Sequence, residues 1–332
     1  MSKSPLWTMA GAGLLMQLVG CNSEQSAFAP TGAEAERINV LFWVMTIGGG
    51  LILVGVIVLS AVAIYAGETL RSRLSGERFI TGAGIIFPVV VLSILLVYGF
   101  VVLRAGASAP PSDDGIRFAI RGEQWWWRVT YFDADGNSFE SANELHIPVG
   151  RSVRLELTTA DVLHSFWAPR LAGKLDMIPE RTNMLTITAT KEGVSRGQCA
   201  EYCGGAHAFM SFHVVAQTPE AFEAWMAKES GPAVKNEDEP AARGGQLFLD
   251  AGCGSCHTIR GTPAAAGTIG PDLTHVGGRR SLAAATLPNN AEAFAAWITN
   301  NQHIKPENKM PPYNIFTQSE LEDLALYLES LK

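Results

Sequence analysis

The sequence predicts a multidomain membrane protein: a two-helix transmembrane hairpin, then an all-β sandwich or small barrel, then an all-α domain at the C-terminus. Three observations carry this. Two long uncharged apolar runs precede residue 105, short alternating segments with turn signals follow them, and a Cys-x-x-Cys-His stretch stands in a C-terminal region closed by a helical pattern. The chain of 332 residues has room for two or three domains. Its formal net charge of -7 argues against nucleic-acid partners, which need a basic face.

The N-terminus reads as an export signal. Lys3 supplies a short positive start, and the apolar stretch Leu6 to Val19 is too short to span a bilayer. It ends in Leu18-Val19-Gly20-Cys21, which resembles a bacterial lipobox. Residues 1–20 then form a lipoprotein-type signal and Cys21 the acylated mature terminus. An ordinary secretory signal or an uncleaved anchor is the plainer alternative. Residues 21–37 form a short N-terminal segment.

The hairpin covers residues 38–104. No charge occurs from Ile38 to Ala66, more than the roughly 20 residues a membrane helix needs. A second uncharged run extends from Phe79 to Leu103, and Pro88 kinks it or marks its first turns. Arg71, Arg73 and Arg78 lie between the runs. Short cytoplasmic loops are enriched in Arg and Lys, so the N-terminus and everything after Arg104 should lie on the periplasmic side of a bacterial inner membrane.

Ala105 to Asp114 is rich in Ala, Pro and Ser and reads as a linker into a domain at 115–228. Strands are expected at Arg117–Ile120, Trp125–Phe132, Ser152–Thr158 and Met184–Thr190, with a turn at Asp135-Gly136 and a closing helix at Ala221–Lys228. The chemistry lies in Cys199-Ala-Glu-Tyr-Cys203, followed by His207 and Met210, with His164 upstream. Two thiolates, two imidazoles and a thioether form a soft-leaning set that suits copper in electron transfer. Two thiolates in one tight loop can bridge a pair of metals, and Gly204-Gly205 lets the loop fold back. A zinc site of two Cys and two His competes, although zinc has no use for Met210. A disulfide between Cys199 and Cys203 is a further alternative outside the cell.

Two spans followed by a sandwich bearing Cys-x-Glu-x-Cys-x3-His-x2-Met resemble cytochrome c oxidase subunit II over residues 36–228. The resemblance implies a cupredoxin-like fold and a dinuclear copper centre, CuA. Two copper ions would be bridged by Cys199 and Cys203, with His164 and His207 each on one copper. Met210 and the Glu201 backbone carbonyl would be the weak ligands. The Glu201 side chain would face a magnesium ion shared with subunit I. Gly122-Glu-Gln-Trp-Trp-Trp127 resembles the family's aromatic segment, which makes Trp125 the residue that receives the electron; packing against a sheet face is the alternative. Lys174-Leu-Asp176-Met-Ile-Pro resembles a donor-docking segment and points to Asp176, which as a surface acid could equally be a solvated turn residue. One departure stands out. The acid that the family often places near the start of the second span falls near Thr81 here, with Glu77 a turn earlier.

Residues 229–240 read as an exposed linker, with Pro residues and the acidic run Glu237-Asp-Glu239. The domain at 241–332 carries Cys253-Gly-Ser-Cys256-His257, the pattern of one covalently attached heme c with His257 as proximal ligand. A thioredoxin-like motif would need a βαβ setting that the pattern lacks. Met310, in Lys-Met-Pro-Pro, is the expected sixth ligand, with His275 and His303 as alternatives. An amphipathic helix at Ser319–Leu331, capped near Ser319 or Thr317, closes the chain. Together these features resemble a class I cytochrome c, in which Pro271 would support the proximal histidine.

The chain shows no nucleophile–base pair and no open-site metal triad. The resemblance implies an electron wire. A cytochrome c or another periplasmic donor would reduce the heme, the heme CuA, and CuA oxidase subunit I, where oxygen becomes water. Other oxidase subunits would be partners, and nucleic acid would not. The CuA subunit of a nitric oxide reductase and a membrane-tethered shuttle cytochrome are the alternatives.

Overall fold

The computed structural model describes residues 24–107, 117–133, 135–234 and 238–332. The signal segment and Cys21 lie outside the described residues, as does most of the 105–114 linker. Two compact units result. One is Glu34–Pro110; the other joins the residues up to Ala33 with Pro111–Lys332.

The first unit holds α1 (Ala33–Tyr65), a short α2 (Glu68–Leu74), and a second long helix from Glu77 to Ala107. Both long helices are apolar enough and long enough to cross a membrane, and their apolar side chains are exposed. The second divides into α3 (Glu77–Thr81), a π-helical turn (Gly82–Ile86) and α4 (Phe87–Ala107). Pro88 therefore marks the first turn of α4. It has no N–H to donate, and the wider turn ends just before it.

In the second unit the sandwich resolves as two five-stranded sheets. The first runs β3 (Ser138–Ala142), β2 (Trp126–Phe132), β1 (Arg117–Glu123), β5 (Ser152–Thr159), β8 (Asn183–Thr188). The second runs β4 (Glu144–Pro148), β10 (Ser211–Gln217), β9 (Gly193–Cys199), β6 (His164–Trp167), β7 (Leu175–Met177). Pairs β1–β5 and β4–β10 are parallel and the rest antiparallel. Alternating residues of both sheets meet in one core: Phe118, Ile120, Leu155 and Leu157 from the first, Leu145, Ile147, Phe212 and Val214 from the second. Trp127 sits at its centre, edge-on to Phe166 (5.8 Å between centroids) and Phe212 (5.1 Å). Trp126, on the opposite side of the strand, lies under the Arg128 guanidinium. The strand begins at Trp126, one residue later than expected, because Trp125 belongs to the preceding turn. Helix α5 (Pro219–Glu229) closes the sandwich with Phe222, its N-terminus capped by Thr218.

The C-terminal domain is helical. Helix α6 (Glu239–Asp250) starts inside the expected linker, because Glu239 and Pro240 favour a first helical turn. It packs on α8 (Gln318–Ser330), and α7 (Ala291–Ile304) completes the layer. Thr317 is the cap of α8: its hydroxyl and the Glu320 carboxylate satisfy each other's backbone N–H in a capping box. A small ribbon, β11 (Ser281–Leu282) and β12 (Leu287–Pro288), precedes α7.

Candidate redox centres

The end of β9, the loop after it and the start of β6 converge on one buried cluster. Cys199 Sγ and Cys203 Sγ are 3.8 Å apart. A disulfide needs about 2.05 Å, so these are two free thiols. His164 Nδ1 is 3.8 Å from Cys199 Sγ, and the Glu201 carbonyl oxygen is 3.1 Å from the same sulfur. On the other side, His207 Nδ1 is 3.5 Å and Met210 Sδ 3.8 Å from Cys203 Sγ. Each sulfur thus has one imidazole nitrogen and one weak donor beside it. Such a paired, soft set fits two coppers bridged by sulfur better than one tetrahedral zinc. The hydrogen bond between the two sulfurs draws the Cys199 thiol below its ordinary value and pushes that of Cys203 above it.

The ring of His164 is fixed from behind. Its Nε2 donates to Asp161 Oδ1 at 2.9 Å, which leaves Nδ1 as the free lone pair facing Cys199. Asp161 also accepts from the backbone N–H of Gln124 and of Val162, both at 2.8 Å. Burial alone would raise the Asp161 carboxyl; these hydrogen bonds outweigh it and hold it below its ordinary value. Gly122 completes the seat. A Cβ there would come within 2.7 Å of His164 Cδ2, so the position must lack one. Gly204 has φ +114°, the left-handed region that lets the loop after Cys203 turn back.

The Cys253–Ser255 turn opens a second site, after Gly252 in a left-handed conformation. His257 Nδ1 donates to the Pro271 carbonyl at 2.8 Å, which frees Nε2. A cavity of about 470 Å³ is lined by Cys253, Cys256, His257, Pro271 and Met310, with Phe248 and Leu328 on its apolar wall. Two thiols, a free imidazole nitrogen and a thioether around an apolar cavity fit a covalent heme. His275 and His303 do not line it.

Trp125 joins the two sites. It is 6% exposed and lines the same cavity, while its Nε1–H donates to the Cys203 carbonyl at 3.0 Å. Asp176 lies elsewhere, on edge strand β7, with Lys174 Nζ 3.7 Å from it and 3.4 Å from the Glu201 carboxylate. Polar contacts join the sandwich and the C-terminal domain: Arg128 donates to the Thr268 carbonyl (2.8 Å), the Arg280 backbone N–H to Glu144 (2.8 Å), and Lys309 pairs with Asp161 (3.5 Å). Lys305 Nζ is buried in the same interface. Burial pushes it down to about 7 against the opposing pull of the Cys203 sulfur.

The family profile for the cytochrome c oxidase subunit II periplasmic domain matches residues 132–217, and that for cytochrome c matches 241–332. A cytochrome c oxidase subunit 2 from Alkalihalophilus pseudofirmus is 33% identical over 331 residues, covering 96% of this chain and 95% of that one. The chain belongs to the cytochrome c oxidase subunit II family. Its counterpart in Bacillus subtilis is 30% identical, over 80% of this chain and 78% of its own. Among solved structures, the periplasmic domain of subunit II from Bradyrhizobium japonicum is 32% identical, covering 36% of this chain and 95% of that one, with a TM-score of 0.34.

As a member of the subunit II family the chain is part of a heme-copper oxidoreductase complex and associates with other oxidase subunits. The family implies copper in the sandwich, and the cytochrome c match implies heme in the C-terminal domain. The structure brings together all six residues expected at the copper cluster, and the five expected at the heme cavity. Sequence reasoning missed Asp161, Gly122 and Lys305. An acid three residues before a ligand histidine was the one available signal for Asp161.

Proposed function

We propose that this chain takes electrons one at a time from a periplasmic donor through a heme c to a dinuclear copper centre, and delivers them to oxidase subunit I for reduction of oxygen to water. The observation that carries the proposal is Trp125, which lines the heme cavity and hydrogen-bonds the backbone of Cys203. Cys199, Cys203, His164, His207, Met210 and the Glu201 carbonyl would hold the two copper ions, and bound copper would supply a one-electron carrier. Cys253, Cys256, His257 and Met310 would hold the heme, with Pro271 aiming His257. Asp161 and the Pro271 carbonyl orient the rings of His164 and His257. The half-exposed Glu201 carboxylate is the side chain proposed for a magnesium ion shared with subunit I, and Asp176 for donor docking. Arg71, Arg73 and Arg78 support a periplasmic placement for both domains, and Cys21 is the proposed acylation site.

Metal analysis and visible spectroscopy of the purified full-length complex test this. Two coppers and one heme iron per chain are expected, with the heme surviving acid–acetone extraction. The large subunit should co-purify and the complex should consume oxygen. Zinc in place of copper, an extractable heme, or consumption of nitric oxide alone would overturn the reading.

A further inference from the structure

We propose that Lys305 is a positioning residue, the pin that locks the C-terminal domain onto the copper loop and holds Trp125 between the two sites. The inference rests on the heme-to-copper reading above. Lys305 stands at the end of α7 and is 3% exposed. A buried ammonium is costly unless fully satisfied. Its three donors meet three backbone carbonyls: Trp125 at 2.6 Å and Phe209 at 2.9 Å in the sandwich, and Ala283 at 3.2 Å in its own domain. Among the described residues no carboxylate pairs with it. The cation is therefore spent on backbone: Trp125 itself, and the residue before Met210. An ammonium serves this better than a guanidinium, because it is compact and its three donors diverge.

The chain on either side of the pin is shaped for the same contact. Ala283, Ala284 and Ala285 hold consecutive left-handed φ values of 54°, 62° and 59°. Each is unfavourable for a residue with a Cβ, and such strain persists only where surrounding structure over-determines it. The turn aims the Ala283 carbonyl at Lys305 and the Ala284 carbonyl at the Ser211 N–H, 3.3 Å away, next to Met210. Glu307, also left-handed at φ 64°, lays its carboxylate against Gly205, where a Cβ would meet Oε2 at 2.3 Å. Three strained alanines, a buried cation and a left-handed glutamate thus converge on the loop from Cys203 to Ser211. None of them lies among the expected ligands of either site.

The test uses full-length protein in its complex, as wild type, Lys305→Met and Lys305→Gln. Lys305→Met keeps the aliphatic stem and removes all three donors; Lys305→Gln keeps two N–H donors. Unchanged copper and heme spectra show that both sites survive. In Lys305→Met, heme reduction by an external donor should keep its rate, while the following heme-to-copper step slows by roughly tenfold or more, the loss of one charge-assisted hydrogen bond or more from the docked state. Hydrogen exchange of the amides around Trp125 and Phe209 should rise by a similar factor, and Lys305→Gln should fall between. If Lys305→Met fails to assemble, the comparison of Lys305→Gln with wild type decides. An unchanged second step with unchanged exchange, or exchange raised uniformly over the whole fold, would overturn the proposal. Absence of copper or heme from the wild type would instead overturn the underlying reading.

Discussion

Replacing Asp161 by Asn tests how far the copper site proposed above depends on a residue outside its proposed ligands. The carboxylate accepts three close hydrogen bonds, from His164 Nε2 and from the backbone N–H groups of Gln124 and Val162, and Lys309 approaches its second oxygen. An amide of the same shape has one acceptor oxygen in place of two. If that oxygen keeps His164, the new NH2 confronts the Gln124 N–H and Lys309. If it turns, the NH2 confronts His164 Nε2 and favours the tautomer whose proton sits on Nδ1, facing Cys199. Either arrangement forfeits a charge-assisted hydrogen bond of about 1.5–3 kcal/mol. That corresponds to a loss of about 10–100-fold in copper affinity, the usual range for a residue that orients a ligand histidine. The assay is competition for bound copper by a graded series of chelators on purified full-length protein, followed by the visible absorption of the copper site. A retention midpoint within about threefold of wild type would refute the claim that Asp161 sets the His164 tautomer.

Gly122→Ala places a Cβ 2.7 Å from His164 Cδ2, so the ring must shift; the copper absorption spectrum should change and copper retention should fall, with the heme spectrum unaltered. Met310→Leu keeps the side-chain volume and removes the thioether; the heme should stay covalently bound while its potential falls, read by potentiometric titration. For Glu144, burial would raise the carboxyl, but the His146 hydrogen bond, its charge and the Arg280 N–H outweigh burial and hold it below its ordinary value. Folding therefore keeps this group ionised more strongly than the unfolded chain does. Its stabilisation is fully present above the ordinary carboxylate range and is lost as pH falls through that range and below. Thermal unfolding between about pH 6 and pH 3 should show a fall in midpoint that Glu144→Gln flattens, and equal slopes in the two proteins would count against it.

Much of the fold was legible because its signals are local. The two spans need only composition and length, and Cys253–His257 and Cys199–Met210 carry their chemistry within a few residues. The expected strands at Arg117, Trp125, Ser152 and Met184 were found with ends shifted by one to three residues. Strands β3, β4, β6, β7, β9 and β10 of the sandwich went unread, two of them for a physical reason that is plain in their residues. Glu144–Pro148 alternates Glu-Leu-His-Ile over too few residues to stand out, its polar residues being buried along with its apolar ones, and Gly193–Cys199 holds mostly small and polar residues whose strand state comes from pairing with β10 and β6. The six clustered residues were legible as a list, but the geometry that supports them was not. Asp161, Gly122 and Lys305 act through neighbours distant in sequence, and a lone Lys305 in a polar stretch reads as solvated surface. Trp125 was legible as an aromatic position; its burial against a second domain was not, because 180 residues separate it from Lys305.

Residues 309 and 310 make the two sites parts of one device. Lys309 reaches the acid that holds His164, and its immediate neighbour Met310 lines the cavity beside Cys253 and His257. The C-terminal domain thus contributes side chains to the surroundings of both sites. Grafting a foreign cytochrome after residue 240 would bring a heme but would strip Asp161 of its basic neighbour. A chimera that works should need that dipeptide transplanted along with the lysine pin, and chains that diverge in one domain should have adjusted the other in step.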